Sequence, residues 1–109
     1  MKVIITPTVY EYLENLVIIL YENGYFGHED SARKYVNDLY YDIKTNLSIC
    51  VKKRAPKYFD KYGKGMYYAS FRKNKHTQWY AFFRIYREKS EFIYQVRYIG
   101  NNQTVAQYL

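Results

Sequence analysis

Cysteine occurs once, at Cys50, in a chain of 109 residues. One thiol excludes an internal disulfide framework and fits a reducing compartment. With only Cys50, His28 and His76 as soft ligands, no metal site is expected. Cys50 sits between Ile49 and Val51, so a small buried thiol is the expectation. Long apolar runs are also missing. The longest, Leu16 to Leu20, falls far short of a membrane span, and the stretch before Pro7 is too short for a secretory leader. A cytoplasmic protein with no membrane contact is expected. Acids are scarce from residue 50 onward, where only Asp60, Glu88 and Glu91 occur. That excludes paired-carboxylate chemistry, since Glu88 and Glu91 merely bracket a turn. No P-loop, Rossmann or nucleophile-elbow motif is present, and no cofactor is expected.

Positive charge and tyrosine are abundant. Residues 50–109 hold 13 Lys/Arg against three acids, a local charge of +10, whereas residues 1–49 carry −3. A half-molecule so charged attracts a polyanion, and nucleic acid is the expected partner. The sixteen tyrosines combine a hydrophobic ring with a polar tip, so most are expected at the edge of a core.

The order of elements is legible along the chain. Lys2 to Thr6 reads as a β-branched strand stopped by Pro7. Apolar residues at Tyr12/Leu13, Leu16/Val17 and Ile19/Leu20 predict a helix over 7–22, with Thr6 as cap and Gly24 closing it. A second helix is predicted from an N-cap at Asp30 or Ser31 through Tyr35/Val36, Leu39/Tyr40, Ile43 and Leu47. The short connection makes the two an antiparallel hairpin. Residues 52–65 form a basic connector, read as a loop with one helical turn near Tyr58 to Lys61. Three alternating segments then predict strands over 66–72, 77–87 and 91–99, joined by short turns into an antiparallel meander. In the last, strict alternation places Phe92, Tyr94, Val96 and Tyr98 on one face. Residues 103–109 are read as a helical turn or a flexible tail. The expected architecture is a single α+β domain over residues 1–109: an N-terminal strand, a helix hairpin, and a three-stranded meander with the hairpin on its apolar face.

The cationic residues gather around the first hairpin of the meander. Arg72, Lys73, Lys75 and His76 lie there, with Arg84, Arg97 and the connector residues Lys52, Lys53 and Arg54 nearby in the sequence. Phosphodiester cleavage needs cations to stabilise the phosphorane and a group to move the 2′-hydroxyl proton. His76 is the one side chain of this half that titrates near neutrality; it also reads as an ordinary exposed turn residue. Trp79 is expected in the sheet core with Phe83 and Ile85, with base stacking as its alternative.

This β-α-α-β-β-β order, with Trp79-Tyr80-Ala81-Phe82-Phe83 and the run from Tyr94 to Asn102, resembles the RelE/ParE superfamily of toxins from bacterial type II toxin–antitoxin systems. The resemblance spans almost the whole chain and is strongest over residues 66–108. It implies a growth inhibitor neutralised by a cognate antitoxin protein. A RelE-like member cleaves messenger RNA on the ribosome without a metal, whereas a ParE-like member poisons DNA gyrase. A RelE-like site implies basic residues where this chain has Tyr68 and Ser70, arginines where it has Trp79 and Asn102, and a C-terminal tyrosine, matched by Tyr108. The expected function is a ribosome-associated mRNA endoribonuclease. In it Arg72, Lys73, Lys75 and Arg84 hold phosphate, His76 or Tyr108 moves the proton, and Trp79 or Tyr98 stacks a base. Lys52, Lys53, Arg54 and Arg97 extend the nucleic-acid surface. A gyrase-binding inhibitor and an inactive toxin-derived module are the alternatives. The antitoxin is expected to be acidic where it meets this surface.

Overall fold

The computed structural model describes residues 1–109. Strand β1 (Lys2–Ile5) leads into helix α1 (Pro7–Glu22), a connection, and helix α2 (Glu29–Asn46). Short β2 (Lys53–Arg54) and a 3-10 helix (Lys57–Tyr62) precede β3 (Tyr67–Asn74), β4 (Thr77–Glu88) and β5 (Glu91–Asn101). Helix α3 (Asn102–Val105) and a 3-10 turn (Ala106–Tyr108) end the chain.

Local chemistry accounts for the helix limits. Pro7 occupies the first turn of α1, where its missing N–H costs nothing. Thr6 is extended at the N-cap, but its hydroxyl makes no capping bond. Gly24, at φ +77°, turns the chain away after the helix. α2 starts earlier than expected, with His28 at the N-cap rather than Asp30 or Ser31. Glu29 and Asp30 thereby fall in the first turn, where carboxylates favour the positive end of the helix dipole. The two helices pack as an antiparallel pair, and the Tyr10 and Tyr40 hydroxyls share a 2.6 Å hydrogen bond.

The fold is α+β with a five-stranded mixed sheet in the order β1-β5-β4-β3-β2. β3, β4 and β5 are antiparallel neighbours. The expected antiparallel meander gains a strand at each edge, and the expectation of a wholly antiparallel sheet is corrected at one of them. β1 pairs in parallel with β5, Val3 opposite Tyr94 and Ile5 opposite Val96. β2 arises inside the segment read as a loop and pairs with Tyr67 and Tyr68. Strands of four and two residues are too short for periodicity to reveal their partners.

Helices cover one face of the sheet. Val9, Leu13, Leu16 and Val17 of α1, with Ala32, Val36, Leu39 and Ile43 of α2, pack on Ala69, Phe71, Trp79, Ala81, Phe83 and Val96. A second, smaller core lies on the opposite face, where Phe59, Met66 and Val105 cover Phe82. The connector 52–65 and the chain end are therefore a lid over the sheet. The helical turns expected near Tyr58 to Lys61 and at the chain end are both present, and packing on Phe82 holds them in place.

Two bulges set which side chains reach which face. Val96 lies opposite Phe83 and Tyr98 opposite Phe82, so Arg97 is the extra residue in β5. Tyr98 consequently joins the second core and Ile99 the first, correcting the grouping of Tyr98 with Tyr94 and Val96. Lys73 is the corresponding extra residue between Arg72 and Asn74 of β3. The β3–β4 turn is also tighter than expected, because β3 runs on to Asn74. Gly100 permits α3 to dock, since a Cβ there would lie 2.6 Å from Val105 Cγ1. No helix is long and apolar enough to cross a membrane.

Candidate nucleic-acid interface

The β3–β4 turn gathers part of the expected cationic site. Arg72, Lys75 and His76 line one shallow depression of about 230 Å³ with Asn74, Gln78 and Asn102. Two asparagines brace it. Asn74 Oδ1 accepts the His76 N–H at 2.9 Å. Asn102 Oδ1 accepts the Gln78 N–H at 3.1 Å, and Asn102 Nδ2 donates to the His76 carbonyl at 3.2 Å. The backbone N–H groups of His76 and Gln78 and the His76 carbonyl are thus paired by these two carboxamides, and Arg72 is held by its Nε–H donating to the Asn74 carbonyl at 3.2 Å. Asn102, noted in the sequence only as a replaced arginine, is the clamp between this turn and the end of β5. Its amide pairing offered no sequence signal, because it joins positions 24 and 26 residues apart.

No carboxylate neutralises these cations. The ion pairs of the molecule are Met1 with Glu91, Arg33 with Glu14, and Lys34 with Asp38. None of the 13 Lys/Arg from residue 50 onward takes part. Metal-binding clusters of acids, histidines and cysteine are also absent.

An open cleft of about 550 Å³ adjoins the depression on the lid side and shares Gln78 with it. Tyr68, Ser70 and Tyr80 form its floor, Lys53 supplies charge at one wall, and Ala106 and Leu109 close the other. Residues Tyr68 and Ser70, where basic groups were implied, hence make a neutral tyrosine-lined surface.

Tyr108 belongs to a different cluster. Its ring stacks on Tyr58 at 3.6 Å and 3°, with Lys61 Nζ 4.0 Å from the Tyr58 ring centroid. Hydrogen bonding to Lys61, and then to Tyr108, holds the Tyr58 phenol below its ordinary range. The same contact with Tyr58 raises Tyr108, so Tyr58 is the more acidic of the two.

The remaining candidates disperse. Lys52 Nζ and the Arg54 guanidinium lie 6.0 and 5.3 Å from the Tyr67 ring, at the sheet edge. Lys73 turns to the helix side, 4.8 Å from the Tyr35 ring. Arg84 is exposed in β4, opposite Gln95. Arg97 is a tie within the lid: its Nε–H donates to the Tyr62 carbonyl at 2.6 Å and Nη1 to Gln95 Oε1 at 3.1 Å. Tyr98 stacks on Tyr62 at 3.9 Å and packs against Phe82. Burial first, and hydrogen bonding to Tyr62 second, raise its phenol well above the ordinary range. Trp79 is 2% exposed and its indole N–H donates to the Tyr35 hydroxyl at 2.9 Å. Trp79 thus lies in the sheet core as first expected, which removes base stacking as its alternative, while Tyr98 gives one ring face to Tyr62. Cys50 is half-buried rather than fully enclosed, and burial, aided by Asp42, raises its thiol and leaves it a poor nucleophile.

Comparison with protein-family models, with curated proteins and with solved structures finds no match to this chain.

Proposed function

We infer that this chain is a toxin of the RelE/ParE kind from a bacterial type II toxin–antitoxin pair, acting in the cytoplasm as a metal-independent, ribosome-associated mRNA endoribonuclease. The observation that carries this reading is the unpaired charge: Arg72 and Lys75 share a depression with His76 and no acid accompanies them. The element order and the antiparallel β3, β4 and β5 under a helix pair accord with a RelE/ParE-like topology. β1 is the first strand of that order, paired in parallel with β5, and the short β2 is an addition at the opposite edge.

In this reading a backbone phosphate rests against Arg72 and Lys75, whose charges stabilise the pentacoordinate phosphorane. His76 in its neutral form accepts the 2′-hydroxyl proton. The 2′-oxygen then bonds to phosphorus, the bond to the 5′-oxygen breaks, and the departing 5′-oxygen takes a proton from water while His76 returns its own to solvent, leaving a 2′,3′-cyclic phosphate and a 5′-hydroxyl. His76 is preferred to Tyr108 because it shares the depression with the two cations, whereas Tyr108 is engaged by Tyr58. Tyr68, Tyr80 and Lys53 offer a track for the neighbouring strand. A cognate antitoxin with an acidic segment would mask the same charge.

A non-enzymatic inhibitor, ParE-like and directed at DNA gyrase, is the second reading. The cleft floor of Tyr68, Ser70 and Tyr80, without the basic groups that a RelE-like site implies, fits either branch. Expression of the chain alone in bacteria tests the site. The Arg72→Ala/Lys75→Ala double variant should lose growth arrest while staying folded, and undiminished arrest would remove the assignment.

A further inference from the structure

A third concavity, a cavity of about 410 Å³, lies on the helix side between the end of α1, the start of α2 and the β3–β4 turn. Its volume falls within the range of about 300–1,000 Å³ common for small-ligand sites. Its walls have an unusual makeup. Tyr12, Tyr25, Phe26, Tyr35 and Trp79 supply aromatic surface beside three aliphatic residues of α1, five carboxamide residues and Thr77 supply the polar part, and no charged residue contributes. Neutral aromatic walls with amide donors and acceptors suit a planar heterocycle whose edge carries both kinds of group.

The neighbour of this cavity identifies the heterocycle. Asn74, Thr77 and Asn102 line both it and the cationic depression of Arg72, Lys75 and His76. A neutral aromatic chamber that opens onto an acid-free cationic rim matches the two halves of a nucleotide. Asn102 is consumed by the Gln78 and His76 backbone, and Asn101 caps α3 through the Gln103 and Thr104 N–H groups. Asn74 spends only its Oδ1 on His76, which leaves Nδ2 as a donor. The exposed carboxamides of Asn23 and Gln103 complete the wall. Tyr25, 68% exposed, and half-buried Phe26 offer the stacking surface, because Trp79 shows too little of its ring.

We propose that the helix-side cavity receives the base of one nucleotide of a single-stranded RNA, whose phosphate lies on Arg72 and Lys75. This rests on the reading of the β3–β4 turn as a phosphate site and adds to it the place where an unstacked base is read. The strand bends around the end of the sheet, from the tyrosine cleft past the cationic turn into the cavity. Stacking on Phe26 and Tyr25 supplies the affinity, and the carboxamides of Asn23, Asn74 and Gln103 read the base edge.

Trp79 is the only tryptophan and lines the cavity, so its fluorescence reports occupancy. The full chain is titrated with four probes: single-stranded RNA hexamers, a hexamer abasic at every position, free 5′-mononucleotides, and inorganic phosphate. Fluorescein-labelled strands give binding by anisotropy in parallel. The RNA hexamers should quench Trp79 saturably, while the abasic strand binds without quenching and phosphate does neither at equal concentration. Quenching by mononucleotides at the affinity of the hexamer would assign the site to a free nucleotide and overturn the RNA proposal. Phe26→Ala should weaken the hexamer about tenfold and leave the abasic strand unchanged. Gln103→Ala, an exposed change that removes the carboxamide without adding charge, should also weaken only base-containing strands. RNA binding without any change in Trp79 emission, or with wild-type affinity in both variants, overturns the proposal, as does quenching by a protein partner alone. The nuclease reading fails separately, through an absence of cuts by the wild-type chain.

Discussion

The two faces of the sheet are built differently from neighbouring residues of one strand. Phe82 and Phe83 are both fully buried, yet Phe83 points into a core of 19 buried residues and Phe82 into one of four. The larger core is closed by regular helices whose apolar residues recur at helical spacing. The smaller is closed by a 3-10 segment and the chain end, and much of its rim is tyrosine: Tyr62, Tyr68, Tyr80 and Tyr98. A surface finished in tyrosine keeps polar tips at its edge, so this face can be partly buried and still present a wet cleft. The helix face holds most of the buried apolar side chains, and the lid face leaves an open cleft lined by tyrosine.

Truncating each phenylalanine tests that division most strongly. Phe83→Ala should cost about 4 kcal/mol and Phe82→Ala about 3 kcal/mol, within the usual range for buried rings. The patterns should differ more than the totals. Amide exchange in Phe82→Ala should rise across residues 55–66 and 102–108 with α1 and α2 still protected, whereas Phe83→Ala should loosen both helices. Equal loosening everywhere would mean one cooperative core. Gly100→Ala is expected to be milder, about 1–3 kcal/mol from overpacking against Val105. Its exchange should increase in α3 and the β3–β4 turn, since Asn102 links the two.

Alkaline pH gives the smallest effect and sharpens the comparison from the helix side. Hydrogen bonding to Tyr10, then burial, raises the Tyr40 phenol from 10.0 to about 12. A raised phenol favours the fold while it is neutral, so the stabilisation is complete below pH 10 and disappears as pH rises through about 12. The melting temperature should fall across that window, less steeply in Tyr40→Phe. On the lid side Tyr58 is lowered instead, and ultraviolet difference spectra should show it ionising before Tyr108. An unchanged spectrum in Tyr58→Phe at the first step would contradict that order.

The larger core was the legible part of the molecule. Pro7 and Gly24 punctuate α1 so clearly that its span was read as Pro7–Glu22, as observed. The three long strands also stood out, because eight to twelve alternating residues outweigh local noise. The bulge at Arg97 was not legible. One extra residue reverses every side chain beyond it, and strict alternation therefore put Tyr98 on the wrong face. The helical turn near Tyr58 was legible, but its role as a lid was not, because Phe59 lies among lysines and glycines without any period and only tertiary packing seats it on Phe82. At the candidate site, composition and turn position brought Arg72, Lys75 and His76 forward together. Charge says nothing about direction, however, and Lys73, Arg97 and Tyr108 proved to serve other neighbours.

The central claim is that the acid-free turn acts on translated message. Its most direct test is primer extension on reporter mRNAs in cells after tightly controlled induction of this chain alone. The account predicts new 5′ ends within the translated region, absent from an untranslated copy of the same message and absent with the Arg72→Ala/Lys75→Ala variant. Growth arrest with the message intact would contradict it and transfer the assignment to an inhibitor that binds gyrase or another protein.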